Sequence, residues 1–140
     1  MRGKRGDYRW FTTITTRWMD NDVYHHVNNV QYYSFFDTAV GAFSLERGIL
    51  DLGKSPVVGL VVETGCTYFA PISFPDKVHV GLRIAKIGNS SVRYEIGIFR
   101  NDEEDAAAQG FFVHVYVNDK TRQPERIPDH VRAQMQAIAI

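Results

Sequence analysis

The sequence predicts an α+β fold in which one long buried helix is followed by a strongly twisted antiparallel sheet. Three observations carry this expectation. Residues 29–47 form an aromatic, helix-like run with Asn28 in front of it and Gly48 behind it. From Val57 onward the apolar period changes from helical to alternating, and it stays so through four segments. The connections between successive segments are short and carry Pro, Gly and Asn, as antiparallel strands in a meander require.

The chain of 140 residues is long enough to bury a core without disulfides. With 44% apolar and 13% aromatic residues it reads as a folded domain over 8–140, preceded by a basic, Gly-containing loose tail over 1–7. Sixteen basic residues balance sixteen acidic ones, so no overall field favours nucleic acid or an anionic membrane. The one cysteine, Cys66, lies in an apolar run and reads as an inert buried thiol. Arg2, Lys4 and Arg5 are not followed by the apolar stretch of a signal peptide, and no apolar run reaches membrane-spanning length. A cytoplasmic location is the resulting expectation.

Each element has a local reason. Tyr8 to Trp18 is rich in aromatic and β-branched residues, a strand signal. Asn28 is a good N-cap, and Gln31 stands where the partner of a capping box belongs. Along the helix, Tyr32, Phe36, Ala39 and Phe43 form one apolar row and Val30, Tyr33 and Val40 another, so the helix should be covered on most sides. Gly41 in its middle costs about 1 kcal/mol relative to Ala, which suggests that a strand approaches closely there. Val58, Leu60, Val62, Thr64, Cys66 and Tyr68 would share one face of a strand over 57–69. Val78 to Ile84 and Val92 to Ile98 alternate around a Gly88-Asn89 turn, and Phe111 to Val117 forms the last strand. Pro128 at a helix N1 position, with Val131, Met135 and Ile138 at helical spacing, predicts a terminal helix.

Between the first strand and the long helix lies the polar run Asp20-Asn21-Asp22-Val23-Tyr24-His25-His26-Val27-Asn28-Asn29. It delivers two carboxylates and two imidazoles to a helix start, whose free N–H groups attract negative charge. That combination points to acyl transfer or hydrolysis.

Asp-x-Asp-x-x-x-His-Val-Asn-Asn ahead of a Tyr/Phe-rich helix resembles the acyl-CoA thioesterases of the 4-hydroxybenzoyl-CoA thioesterase type. Thr67-Tyr68-Phe69-Ala70-Pro71 with Asp76 and Val78, and Gly88-Asn89-Ser90-Ser91-Val92, are similar to later segments of that family, so the likeness spans roughly residues 8 to 130. The resemblance implies the hotdog fold, an antiparallel sheet wrapped around a helix. It also implies hydrolysis of an acyl or aryl thioester to the acid and free coenzyme A. Coenzyme A enters as part of the substrate, and neither a separate cofactor nor a metal is implied. Asp22 matches the family's catalytic carboxylate, and Asn29 matches the helix-start residue whose N–H polarises the thioester carbonyl. His26, Asn28 and Asp37 match supporting positions. His25 stands where the pattern usually has Gly, which bears on the acyl pocket. The hairpin around Ser90 and Ser91 lacks the Arg and Lys that some relatives use to hold phosphates, with only Lys86 near, so these serines become candidates for the nucleotide side. Hotdog active sites normally lie between protomers, so a homodimer or homotetramer is expected.

Thioester hydrolysis needs a base or nucleophile near the carbonyl carbon and donors aimed at the developing oxyanion. Asp22 is the candidate for the first role, either activating water or attacking directly, and the Asn29 amide for the second. Asp20 reads as structural, bonding loop amides or pairing with Arg17. Tyr24, Tyr32 and Tyr33 read as core or pocket lining, Tyr32 facing substrate. Glu63, the one carboxylate in the long apolar strand, is a candidate second acid or base, since a buried acid is either paired or functional. Lys120, Arg122 and Arg126 are either phosphate partners or a solvated turn. Two other readings stand beside hydrolysis of acyl-CoA: a thioesterase acting on acyl carrier protein, and a non-catalytic module that binds acyl thioesters.

Overall fold

The structure is a computed structural model that describes residues 1–51 and 53–140. Five strands, β1 (Trp10–Thr15), β2 (Val57–Tyr68), β3 (Lys77–Ile87), β4 (Ser91–Arg100) and β5 (Ala108–Asn118), form one antiparallel sheet in the order β1-β3-β4-β5-β2. Helix α1 (Asn29–Glu46) lies across one face, and a short α2 (Asp129–Gln136) closes the chain. The α+β layout is the one expected. No helix among the described residues is long and apolar enough to cross a membrane.

The core forms where α1 meets the sheet. Phe36 packs edge-on against Phe112, and Phe43 against Trp10 and Tyr94, with ring centroids 5.3–6.5 Å apart. Tyr32, Phe36, Ala39 and Phe43 are buried as their spacing predicted. The second row is not a buried row: Val40 is buried, Tyr33 is half-buried and Val30 is exposed, so α1 keeps an open side. Gly41 faces that opening. A Cβ built there meets nothing within 4 Å, so the glycine leaves space rather than admitting a strand.

The meander is only partial. β3, β4 and β5 follow one another, but β2 pairs with β5 and β1 with β3. The chain between β2 and β3, residues 69–76, must therefore cross the end of the sheet past two intervening strands. This crossing segment docks on the polar loop, where the Val27 N–H donates to the Ile72 carbonyl at 2.7 Å. A bulge between Val61 and Glu63 flips the alternation within β2. As a result Val58 and Leu60 do not share a face with Thr64, Cys66 and Tyr68.

Residues 1–7, expected to be loose, are tied down. Arg5–Asp7 form a 3₁₀ turn, the Gly3 N–H donates to Gln109 Oε1 at 2.7 Å, and the Arg5 N–H donates to the Glu104 carbonyl at 3.1 Å. This places Tyr8 on the outer face of the sheet, where it forms a second small core with Phe99 and Ala106. Gly97 permits the contact, since a Cβ there would sit 2.5 Å from the Tyr8 ring. Pro128 is the N-cap of α2 rather than its first helical residue, and Val131, Met135 and Ile138 are buried as expected.

Candidate active site

The polar loop folds as a small hairpin. The Asp22 N–H donates to the His26 carbonyl at 2.9 Å and the His25 N–H to the Asp22 carbonyl at 3.0 Å, with an antiparallel bridge between Asn21 and Val27. This pattern needs one residue in the left-handed region at the end of the turn. His25 is that residue, at φ +66°. The family's glycine is thus a backbone requirement, and His25 meets it with its side chain in solvent. The His25 imidazole is exposed, and its carbonyl anchors the loop by accepting from Ser73 Oγ at 2.8 Å.

Asp20 is 2% exposed and accepts from the Arg17 N–H at 2.7 Å and from its guanidinium at 2.8 Å, so it does both of the structural jobs proposed for it. The Asp20 carbonyl also accepts from the Asn28 N–H at 2.9 Å, which sets the distance between loop and helix.

Asp22 and the helix start are joined through Asn28. Asn28 Nδ2 donates to Asp22 Oδ2 at 3.2 Å, while Asn28 Oδ1 accepts from the Val30 N–H at 2.9 Å and caps α1. The cap runs to Val30 and the reciprocal arm from Gln31 is not used. The Tyr24 N–H holds the other carboxylate oxygen, Asp22 Oδ1, at 2.9 Å. Asn29 follows at the first helical position, where an N–H has no intrahelical partner.

Beside this junction is a groove of about 320 Å³ lined by His26, Asn29, Tyr32, Tyr68, Phe69 and Pro71. Tyr68 Oη donates to the Asn29 carbonyl at 3.1 Å, and its ring meets Tyr32 edge-on at 4.9 Å, so the end of β2 is fastened to the helix start. Burial pushes the Tyr32 hydroxyl up to about 12, so it stays protonated where it lines the groove. Burial likewise pushes the Cys66 thiol up, consistent with an unreactive side chain.

Asp22, His26, Asn28, Asn29 and Tyr32 are therefore brought together. Two predicted groups are not. Glu63 is exposed, and its pairing with Val113 puts it on the face away from α1, so it is not the buried acid expected. The bulge is the reason, because it interrupts the alternation on which that reading relied. Ser90 and Ser91 close the β3–β4 hairpin, at the opposite end of β3 from the loop, about 35 Å of strand away. Arg132 donates to the Gly88 and Asn89 carbonyls at 3.0 and 3.2 Å and the Tyr116 N–H to the Ser90 carbonyl at 2.7 Å, so the hairpin backbone is internally engaged. At the same far end, Arg122 lies 3.9 Å from Asp119 and Arg126 2.6 Å from Asp129, in keeping with a solvated turn. Among the described residues no three His, Cys, Asp or Glu side chains are grouped to hold a metal.

Sequence reasoning missed Tyr68 as a groove residue and His114 as a buried polar group. His114 is 8% exposed on the helix side of β5, between Phe112 and Tyr116, and burial pushes its imidazole down to about 4 against the opposing influence of Asp37. Its signal was the strict alternation Phe112-x-His114-x-Tyr116, which puts all three on one face.

The profile of the thioesterase-like superfamily matches residues 16–135. No curated protein matches the sequence. Among solved structures, the chain is similar to PA5185 from Pseudomonas aeruginosa strain PAO1, with 48% identity over 99% of this chain and 97% of that one, and a TM-score of 0.96. PA2801, a thioesterase candidate from Pseudomonas aeruginosa, is 29% identical over 88% of this chain and 95% of that one, with a TM-score of 0.81. The 1,4-dihydroxy-2-naphthoyl-CoA thioesterase Slr0204 from Synechocystis shares the fold, with a TM-score of 0.81 at 16% identity over 90% and 94% of the two chains. The helix against its five-stranded sheet is the hotdog fold that the sequence resemblance implied. Matched over most of its length, the chain belongs to the thioesterase-like superfamily.

Proposed function

We propose that this protein hydrolyses acyl-CoA thioesters to the free acid and coenzyme A. The observation that carries the reading is the Asp22–Asn28 hydrogen bond of 3.2 Å, which ties a carboxylate to the residue that caps α1. A thioester carbonyl held at the helix start accepts the Asn29 N–H, where the helix dipole favours the developing oxyanion. Asp22 takes a proton from water as hydroxide adds to the carbonyl carbon, the C–S bond then breaks, and the proton returns to the departing thiolate. In the alternative route Asp22 adds directly, and water cleaves the resulting anhydride. Single-turnover hydrolysis in ¹⁸O-water separates the two, because only the anhydride route can leave label in Asp22.

The acyl group is placed against Tyr32, Tyr68 and Phe69. A second copy of the chain belongs to the proposal. β2 is an edge strand with Leu60, Val61 and Val62 41–61% exposed, and an apolar edge of this kind invites pairing. Ser90 and Ser91 can approach the Asp22 site only from another copy. Light scattering should give a dimer or tetramer, and a monomer at micromolar concentration would remove this part of the proposal.

The deciding test is thiol release from a panel of alkyl and aryl acyl-CoAs by wild type and Asp22→Asn. Turnover by the wild type, with kcat about 10²–10⁴-fold lower in the variant, is the expected result. An inactive wild type, or a fully active variant, sinks the mechanism.

A further inference from the structure

The groove beside Asp22 has no lysine or arginine in its lining, so it offers the nucleotide of coenzyme A no cation. The two arginines that touch its residues are engaged elsewhere. Arg100 donates to Glu103 at 2.6 Å and to the Pro71 carbonyl at 2.9 Å. Arg2 donates to the Ala106 carbonyl at 2.7 Å and lies over the Phe69 ring.

At the other end of β2, about 36 Å of strand away, a cavity of about 390 Å³ is lined by Lys54, Pro56, Asn118, Asp119 and Lys120. It joins the residues just before β2 to those just after β5, where Val57 pairs with Asn118. The Asp119 N–H donates to the Pro56 carbonyl at 2.9 Å, which fixes one segment against the other. Asn118 Oδ1 accepts from the Lys120 and Thr121 N–H groups at 2.9 and 3.0 Å and so shapes the turn that carries Lys120. Among the described residues neither lysine enters an ion pair, while Asp119 is opposed by Arg122 at 3.9 Å. Two uncommitted ammonium groups in one concave site suit a phosphate dianion. The β3–β4 hairpin reaches the same end of the sheet, but Gly88-Asn89-Ser90-Ser91 carries no cation.

A second copy removes the separation between cavity and groove. β2 is an edge strand, and two identical strands pairing antiparallel across a two-fold axis lay the start of each beside the end of the other. Full overlap of Val57–Tyr68 sets Tyr68 about 5 Å from Val57 of the partner subunit. Lys54 of the partner subunit follows about 10 Å further along. Tyr68 donates to the Asn29 carbonyl at 3.1 Å, so this end of the strand is the end that meets the thioester. The pantetheine arm of coenzyme A spans roughly 15 Å extended, about the length of four or five residues, and so bridges the two sites.

We propose that Lys54 and Lys120 of the partner subunit hold the nucleotide phosphates of the thioester bound beside Asp22. The inference rests on the acyl-CoA reading and on the pairing through β2 given above. The reacting atoms stay with Asp22 and Asn29, so the lysines act on binding alone.

The test uses Lys54→Ala/Lys120→Ala and, for the acyl group turned over best, its thioesters with coenzyme A and with pantetheine. KM for the coenzyme A thioester should rise about tenfold or more as two charged hydrogen bonds are lost. KM for the pantetheine thioester, which has no nucleotide, should stay unchanged. Asp22→Asn and the double variant are then co-expressed with different affinity tags and purified as mixed oligomers. These join the intact Asp22 of one copy to the intact lysines of the other, and should recover turnover at the wild-type KM. An unchanged KM for the coenzyme A thioester, an equal rise for both thioesters, or mixed oligomers that keep the raised KM overturns the proposal. If the wild type cleaves no acyl-CoA, the hydrolytic reading falls, and calorimetry with free coenzyme A then decides the lysine site. Binding that is lost in the double variant upholds it, and no binding, or binding that persists in the variant, overturns it.

Discussion

The side-chain amide of Asn28 donates to Asp22 across 3.2 Å while its oxygen holds the Val30 N–H, so one residue couples the carboxylate to the helix start. Removing that amide should be felt in both places. Asn28→Ala is expected to lower stability by about 1 kcal/mol through the lost cap and to reduce kcat as well. Asn28→Asp separates the two effects, because it keeps a capping oxygen but sets a second carboxylate beside Asp22. Like charges raise a carboxyl pKa, so the acid limb of its pH–rate profile should move to higher pH than in the wild type. Urea titration and pH–rate measurements on both variants check this, and identical profiles for Asn28→Asp and wild type would argue against coupling.

His25 tests the backbone argument. At φ +66° with an exposed side chain, it is replaceable by glycine with little change in activity or with a small gain in stability. His25→Val, a β-branched residue in the same conformation, should cost about 1–2 kcal/mol relative to the glycine variant. Thermal melts of the pair provide the comparison, and a loss of activity confined to His25→Gly would show that the imidazole itself takes part.

His114 predicts how stability depends on acidity. Its folded pKa of about 4 lies below the ordinary value of 6.5, so the unfolded chain binds the proton more readily. The stabilisation is complete above pH 6.5 and is lost as pH falls toward 4, on the order of 3 kcal/mol in all. His114→Phe should flatten that part of the curve. Denaturant titrations at neutral pH and near the lower value measure it, and equal pH slopes for the two proteins would contradict the burial argument.

Tyr8 shows that the N-terminal segment belongs to the folded unit. Its ring is 9% exposed, packs against Phe99 and carries Arg83 over its face at 5.4 Å. Tyr8→Ala should destabilise by about 3 kcal/mol, and deletion of residues 1–8 by at least as much. Melting temperatures of the two variants matching wild type would mean that the segment is dispensable.

Local chemistry in the sequence determined the helix, the strands and the residues at the loop–helix junction. An N-cap before an aromatic repeat, alternation after Val57, and the spacing of Asp22, Asn28 and Asn29 are all short-range patterns, and short-range patterns are what a sequence displays. The tertiary structure decided what depends on distance. Only strand order made residues 69–76 cross the sheet and deliver Ile72, Ser73 and Phe74 to the loop. One bulge in β2 turned Glu63 outward, because a one-residue slip exchanges the two faces of a strand. The length of β3 carried Ser90 and Ser91 away from Asp22, and the open side of α1 revealed a space beside Gly41 where a close contact was expected. His25 combines the two levels: its place in the motif was plain from the sequence, but only its backbone angle explains why glycine is usual there.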